Sequence, residues 1–330
     1  MAITGVMMNE TLLIVNPRAG GGRAGIGVEA LRLEVEAAIG PVDLVHTEAS
    51  SHGVELAQAA VVSGYKLVVA AGGDGTVHEV VTGLIDARRA GQFGASDLPA
   101  LGIIGLGTGG DFTKTLGITH TRAAYIEVLR AGHERTLDVG LFDCVSHEGQ
   151  PRSRVFMNIL SMGISGLADQ LVAKASRALG SQFAYLQSSI RALLRSRVGH
   201  VHLEITGPDG VVKTLDVKTR LIAVCNGRFF GSGMEVAPMA VPDDGQFEIV
   251  VIESEGRLSL LRGMGQIYSG AHMRRKDVLH LPCTKVVMHL QNMDVAERFI
   301  LDVDGEPLGR LPLTIQVLPH ALRVRAPARG

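Results

Sequence analysis

The chain has 330 residues, 46% of them hydrophobic and 20% charged. That balance excludes a disordered or fibrous protein and leaves room for two domains. A formal net charge of −1 gives no global field toward nucleic acid or an anionic bilayer, so no nucleic-acid partner is expected. Cys144, Cys225 and Cys283 are odd in number and far apart, which excludes a disulfide framework and a C-x-x-C metal site and suits a reducing cytoplasm.

Met1 to Thr11 lacks the charge-then-apolar pattern of a signal peptide, and nowhere do 18 apolar residues run together, so any membrane contact should be peripheral. Thr11 to Val15 (TLLIV) is a short apolar run closed by Asn16-Pro17 and a glycine cluster, and predicts a buried strand entering a phosphate-type loop. Ala24 to Ile39 has helical spacing at Ile26, Ala30, Leu33 and Ala37, and Pro41 ends it before a strand over Val42 to His46. Leu56 to Val62 predicts a helix and Lys66 to Ala70 a strand. The run Gly72-Gly73-Asp74-Gly75-Thr76 follows, leading into a helix over Val77 to Ala87. A strand over Leu101 to Ile104 and a helix near Ala123 to Ala131 extend the alternation, which is that of a mostly parallel, doubly wound α/β sheet.

Beyond about Arg135 the pattern turns β-rich. Thr136 to Phe142, Arg154 to Ile159, His200 to Ile205, Val211 to Val217, Thr219 to Val224, Gln246 to Ile252 and Thr284 to His289 read as strands separated by turns such as Pro208-Asp209-Gly210 and Asp243-Asp244-Gly245. One basic amphipathic helix is predicted over Leu167 to Val198, a stretch that suits either a membrane surface or packing on the β-rich half. The expected domains are 1–135 and 136–330, with the C-terminal end able to pack back on the first.

Between a strand and a helix, the run Gly72 to Thr76 makes a phosphate seat: glycines let the backbone approach an anion, and the helix amides and dipole attract it. A carboxylate there, Asp74, implies a divalent cation between it and the phosphates or a hydroxyl to orient, so magnesium is expected. The bland alternative makes Asp74 and Thr76 helix caps. Gly20-Gly22-Gly25 and Gly105-Gly107-Gly110 match the dinucleotide pattern, but the acids that follow, Asp43 inside a strand and Glu127 on a helix, stand where no ribose contact is expected. There is no Gly-Lys pair, no H-R-D, no D-F-G, no H-E-x-x-H and no G-x-S-x-G, which sets aside P-loop NTPases, protein kinases, zincins and α/β hydrolases.

Asn16-Pro17 with its glycines, Gly72 to Thr76 leading into Val77-His78-Glu79, Gly107-Thr108 with Asp111-Phe112, and Asp304-Gly305-Glu306 resemble, in order and spacing, the diacylglycerol kinase catalytic family, which includes sphingosine and ceramide kinases and bacterial soluble lipid kinases. The resemblance spans nearly the whole chain. It implies an NAD-kinase-like nucleotide-binding α/β domain followed by a β-sandwich domain, with ATP as co-substrate and a lipid as acceptor. By that resemblance Asn16, Thr47, Gly72, Gly73, Asp74, Gly75, Thr76, Gly107 and Thr108 bind the nucleotide, and Glu306 is the general base, supported by Asp304. It further implies a structural magnesium at Asp244 with the carbonyls of Val241 and Gln246. The family usually carries Asn where Gly110 stands, often Pro where Gly105 stands, and commonly Asn at His78, so an amide near the nucleotide is missing. On its own, Asp304 to Glu306 would read as a hairpin turn.

The leading expectation is therefore a cytoplasmic, peripherally membrane-associated lipid kinase phosphorylating diacylglycerol, a sphingoid base or ceramide. A kinase of a soluble acceptor such as NAD, and a non-catalytic nucleotide- or lipid-binding regulator, are the rivals. Arg274-Arg275-Lys276 is a second stretch able to meet the membrane. Oligomeric state, a homodimer included, is not written in the sequence.

Overall fold

The computed structural model describes residues 9–21, 27–91, 93–94, 96–107, 109–172, 191–193, 195–253, 256, 263 and 265–328. Two compact units emerge, one of residues 1–137 and 321–330, the other of residues 138–320.

In the first unit β1 (Thr11–Val15) leads to α1 (Val28–Ile39), β2 (Val42–His46), α2 (His52–Val62), β3 (Leu67–Gly72), α3 (Asp74–Arg89), β4 (Ala100–Gly105), α4 (Asp111–Thr115) and α5 (Arg122–Ala131). The strands are parallel in the order β2-β1-β3-β4. All five residues of β1 and all six of β3 are buried, because helices cover a parallel sheet on both faces, and that is why these strands read as unbroken apolar runs. Chain order reverses between β1 and β3. At such a switch point the loops at the carboxyl ends diverge and leave a crevice for a ligand. Two sequence expectations shift here: α2 starts at His52 rather than Leu56, and α3 starts at Asp74, inside the glycine run, rather than at Val77.

In chain order there follow β5 (Glu134–Val145), β6 (Pro151–Phe156), β7 (Ile159–Gly163), α6 (Ile164–Val172), β8 (Gly199–Thr206), β9 (Val212–Thr219), β10 (Leu221–Cys225), β11 (Phe229–Phe230), β12 (Met234–Glu235), β13 (Phe247–Ile252), β14 (Val278–Cys283), β15 (Lys285–Leu290), β16 (Ile300–Val303) and β17 (Glu306–Arg325). In the second unit β14-β13-β10-β7-β16-β17 form one layer, and β17-β15-β8-β9 another. Leu160, Ile222, Val224, Phe247 and Ile249 of the first layer share a core with Val201, Leu203, Val286, Met288 and Ile315 of the second. This is the expected β-sandwich. The alternate residues of β10, Leu221, Ala223 and Cys225, enter another core with Val250, Phe230 and Ile267. Buried on both faces, β10 shows the same continuous apolar signature.

The strand expected over Arg154 to Ile159 is in fact β6 and β7, parted at Met157 and Asn158. β14, β16 and β17 lie outside the sequence expectation altogether. The helix expected over Leu167 to Val198 is described at its start, as α6, and at residues 191–193 and 195, and its remainder lies outside the described residues. From Ala321 onward β17 belongs to the first unit, where Val324 pairs parallel to Leu101 of β4.

Candidate active site

Asn16 leaves the end of β1 and bridges the switch point. Its amide donates to the Ala71 carbonyl of β3 at 2.9 Å, and its Nδ2 donates to Thr76 Oγ1 in the first turn of α3 at 3.0 Å. Gly73 is the N-cap of α3 in an extended conformation, and no side chain caps this helix. Asp74 and Thr76 are thus not caps. Thr76 is buried and receives Asn16, while Asp74 is exposed at the first turn, where the helix dipole is positive. Gly72 and Gly107 are required by crowding. A Cβ at Gly72 would stand 2.3 Å from Thr76 Oγ1, and one at Gly107 would stand 3.0 Å from the Gly73 Cα, so the loops after β3 and β4 run backbone against backbone. Thr47 is buried at the end of β2, its amide donating to the Val15 carbonyl at 2.9 Å. Thr108 lies outside the described residues.

Both Asp74 carboxylate oxygens lie 3.2 Å from the Gly110 amide, which donates to them. This carboxylate, at the start of α3, ties the loop after β4 to that helix, a use the sequence did not suggest. Asp43 serves the fold instead of a ribose, since it accepts from the Asn9 amide (3.2 Å), Asn9 Nδ2 (2.9 Å) and the Tyr65 hydroxyl (2.8 Å). Burial, with help from Asp43, pushes the Tyr65 phenol up to about 12. Glu79, in the block after the glycine run, accepts from the amides of Ser51 (2.7 Å) and Gly53 (3.0 Å) and so secures the start of α2.

Beneath the loop after β4 lies a group that sequence reasoning missed. His120 Nε2 stands 3.0 Å from the Gly107 carbonyl and Nδ1 2.5 Å from the Tyr125 hydroxyl. Tyr125 Oη is 3.2 Å from Thr113 Oγ1, which donates to the Gly110 carbonyl at 2.9 Å. Burial raises the Tyr125 pKa, the Thr113 hydrogen bond opposes this, and the Asp74 charge adds to it. The departures at Gly105 and Gly110 make room for this group: a Cβ at Gly105 would meet Tyr125 Oη at 2.6 Å, and one at Gly110 would meet His120 Nδ1 at 2.5 Å.

In the second unit Asp304 and Gly305, with φ of 51° and 92°, form a two-residue hairpin turn between β16 and β17, and Glu306 pairs with Val303 across it. The hairpin and the chemical reading of this triplet are therefore compatible. Asp304 Oδ2 accepts from the Met157 amide at 2.9 Å, and Oδ1 from Asn158 at 2.9 Å and Ile159 at 3.0 Å. The break between β6 and β7 exists to deliver these amides. Buried Asp302 accepts from the Gly305 amide (3.0 Å) and from Ser161 Oγ (3.0 Å), which lies 2.7 Å from Ser165 Oγ. Two anchored carboxylates thus fix the backbone that presents Glu306, itself half-buried. Asp302 lies inside the short strand β16 and carried no motif that could have flagged it.

Val241, Asp244 and Gln246 share one turn. The Gln246 amide and Nε2 donate to the Asp244 carboxylate at 3.2 and 3.1 Å. Fully buried Asp138 anchors this turn, accepting from the Gly245 amide (2.7 Å) and the His320 amide (2.7 Å). Desolvation raises the Asp244 pKa against the Gln246 hydrogen bonds, and Glu248 and Asp138 raise it further. An electronegative turn of carboxylate and carbonyl oxygens fits a hard cation such as Mg2+. Among the described residues no three His, Cys, Asp or Glu side chains gather into a metal site, so a cation here would rely on carbonyls and water. In the basic run, Arg275 is paired with Asp277 at 2.6 Å, which leaves Arg274 and Lys276 as its exposed charges. No helix among the described residues is long and apolar enough to cross a membrane.

Residues 10–142 match the diacylglycerol kinase catalytic domain, and residues 158–326 the YegS C-terminal NAD kinase beta sandwich-like domain. A diacylglycerol kinase of Bacillus subtilis (strain 168) is 27% identical over 81% of this chain and 79% of its own. A Chromohalobacter salexigens protein named Probable lipid kinase YegS-like is 29% identical over 83% of this chain and 80% of its own. A crystal structure of a candidate diacylglycerol kinase from Bacillus anthracis str. Sterne superposes with a TM-score of 0.74, 25% identity and coverage of 96% and 97%. With residues 10–142 and 158–326 both matched, the chain belongs to the diacylglycerol kinase catalytic-domain family of lipid kinases.

Proposed function

We propose that this protein transfers the γ-phosphoryl group of ATP to the hydroxyl of a membrane lipid: diacylglycerol, a sphingoid base or ceramide. The observation that carries this reading is the α3 N-terminus at the switch point, free of any side-chain cap and braced by Asn16. Its amides and dipole suit the ATP phosphates, with Gly72 to Thr76 and Gly107 alongside and Thr47 and Thr108 lining the nucleotide. Glu306 accepts the proton of the lipid hydroxyl as that oxygen bonds to the γ-phosphorus, the bond to the bridging oxygen breaks, and ADP departs. Asp304 holds the hairpin that presents Glu306. A divalent cation would supply neutralisation of phosphate charge when bound, and Val241, Asp244 and Gln246 would hold a second, structural one. The lipid is met by peripheral contact from the cytoplasm, with Arg274 and Lys276 as candidate headgroup contacts.

The test is transfer of labelled phosphate from Mg-ATP to a panel of lipids in vesicles, with the product identified by mass. Glu306→Gln should lower turnover about 10²- to 10⁴-fold, the range of a positioned general base, while the protein stays folded and still binds ATP. Asp74→Ala should abolish labelling as well. Full activity in both variants, or label on NAD and on no lipid, would sink this reading.

A further inference from the structure

The hydrogen-bond chain under the loop after β4 contains one bond more than a neutral histidine can supply. It runs from the Gly107 carbonyl to His120, Tyr125, Thr113 and the Gly110 carbonyl, at 3.0, 2.5, 3.2 and 2.9 Å in turn. Both ends are carbonyl oxygens, which only accept, so the four links need four protons. Tyr125 and Thr113 bring one each, a neutral imidazole brings one, and an imidazolium brings two. With the neutral ring, Nε2–H serves Gly107, Tyr125 donates to Nδ1 and Thr113 donates to Gly110. Tyr125 and Thr113 then face each other oxygen to oxygen with no proton between them. A second proton, on Nδ1, turns the Tyr125 hydroxyl toward Thr113 and closes the chain.

We propose that His120 is a proton-linked positioning residue of the nucleotide loop: as imidazolium it ties Gly107 to Gly110 and strengthens the binding of ATP. This rests on the ATP reading above. Gly107 lies against Gly73 of the phosphate seat, and the Gly110 amide is already held by Asp74, so the closed chain fixes both flanks of the loop. It also adds a positive charge beside a site for a polyanion. His120 is half-buried and within reach of solvent protons. Among the described residues, the charged groups on the neighbouring elements include Asp74 on α3, the Asp111–Lys114 pair on α4 at 3.3 Å, and the pair between Arg122 of α5 and Glu34 of α1 at 2.7 Å. Asp74 is the carboxylate whose charge also acts on Tyr125, whereas each of the two pairs is internally neutralised.

The experiment measures Mg-ATP affinity by calorimetry from about pH 6 to about pH 8.5, the span in which histidines change charge, in the wild type and in His120→Gln. It adds nitrogen NMR of the imidazole in the nucleotide-free protein. Glutamine keeps a donor for Gly107 but does not titrate, and the titration of ATP itself is common to both proteins. Across this span the wild type should lose about tenfold more affinity than the variant, the value of one charge-assisted hydrogen bond. That loss should follow departure of the Nδ1 proton and leave a neutral ring protonated on Nε2. Tyr125→Phe, which breaks the chain beyond Nδ1, should also lack the extra pH dependence. Parallel pH profiles in wild type and variants, or a neutral ring protonated on Nδ1, overturn this inference alone. Absence of ATP binding at every pH sinks the kinase reading and this inference with it.

Discussion

At Asp304 one carboxylate answers three backbone amides, and the φ of 51° there keeps it turned toward them. Removing it strands three donors in a half-buried place, at a cost of about 1 to 3 kcal/mol for a single unsatisfied group. Asp304→Ala should therefore lower unfolding stability by about 2 to 4 kcal/mol in chemical denaturation, whereas Asp304→Asn, which keeps one carbonyl acceptor, should lose less. Equal losses in the two variants would mean that the amides find other partners. The sequence displayed this triplet as a turn beside a carboxylate, and both descriptions hold. What it hid was the partners, because Met157, Asn158 and Ile159 lie about 145 residues earlier. His120 was hidden for another reason: its role depends on empty volume at Gly105 and Gly110, which a motif shows only as a departure.

At the level of elements, legibility follows burial. β1, β3 and β10 were readable because sequestered faces on both sides leave no polar residue to interrupt the run. β17 was not, since Pro307, Pro312 and Pro319 within its 20 residues argue against a strand. β14 carries His280 and Pro282 among its apolar residues, and β16 is only four residues long. Contact between α2 and α3 also depends on a residue that reads as a helix flaw. A Cβ at Gly83 would come 2.3 Å from the Val54 carbonyl and 2.8 Å from the Ala57 Cβ. Helix propensity alone favours alanine there by about 1 kcal/mol, but overpacking costs about 1 to 3 kcal/mol. Gly83→Ala is thus expected to destabilise, with a lower urea midpoint and an unchanged slope. A stabilised variant would show that the two helices separate at little cost.

For the molecule as a whole, the first unit is assembled from residues on both sides of the second unit in sequence, 1–137 and 321–330. Ala321, Leu322, Val324 and Ala326 are buried, and Arg323 donates to the Leu98 carbonyl at 2.6 Å and pairs with Glu134 at 3.1 Å. Burial of Leu322 and Val324 alone is worth about 3 to 6 kcal/mol, a large share of the roughly 5 to 15 kcal/mol that holds a typical domain together. Deleting 321–330 should cost the first unit its cooperative melt in calorimetry and abolish ATP binding. A truncated protein that binds ATP normally would show the strand to be dispensable.

Val324 beside Leu101 also sets a clock. Until residues 321–325 have left the ribosome, β4 lacks its partner on that side, and the sheet that carries the glycine loops is short of one strand. Assembly of the first unit then waits for a strand made long after β4, so a chain halted before Ala321 is expected to bind no nucleotide.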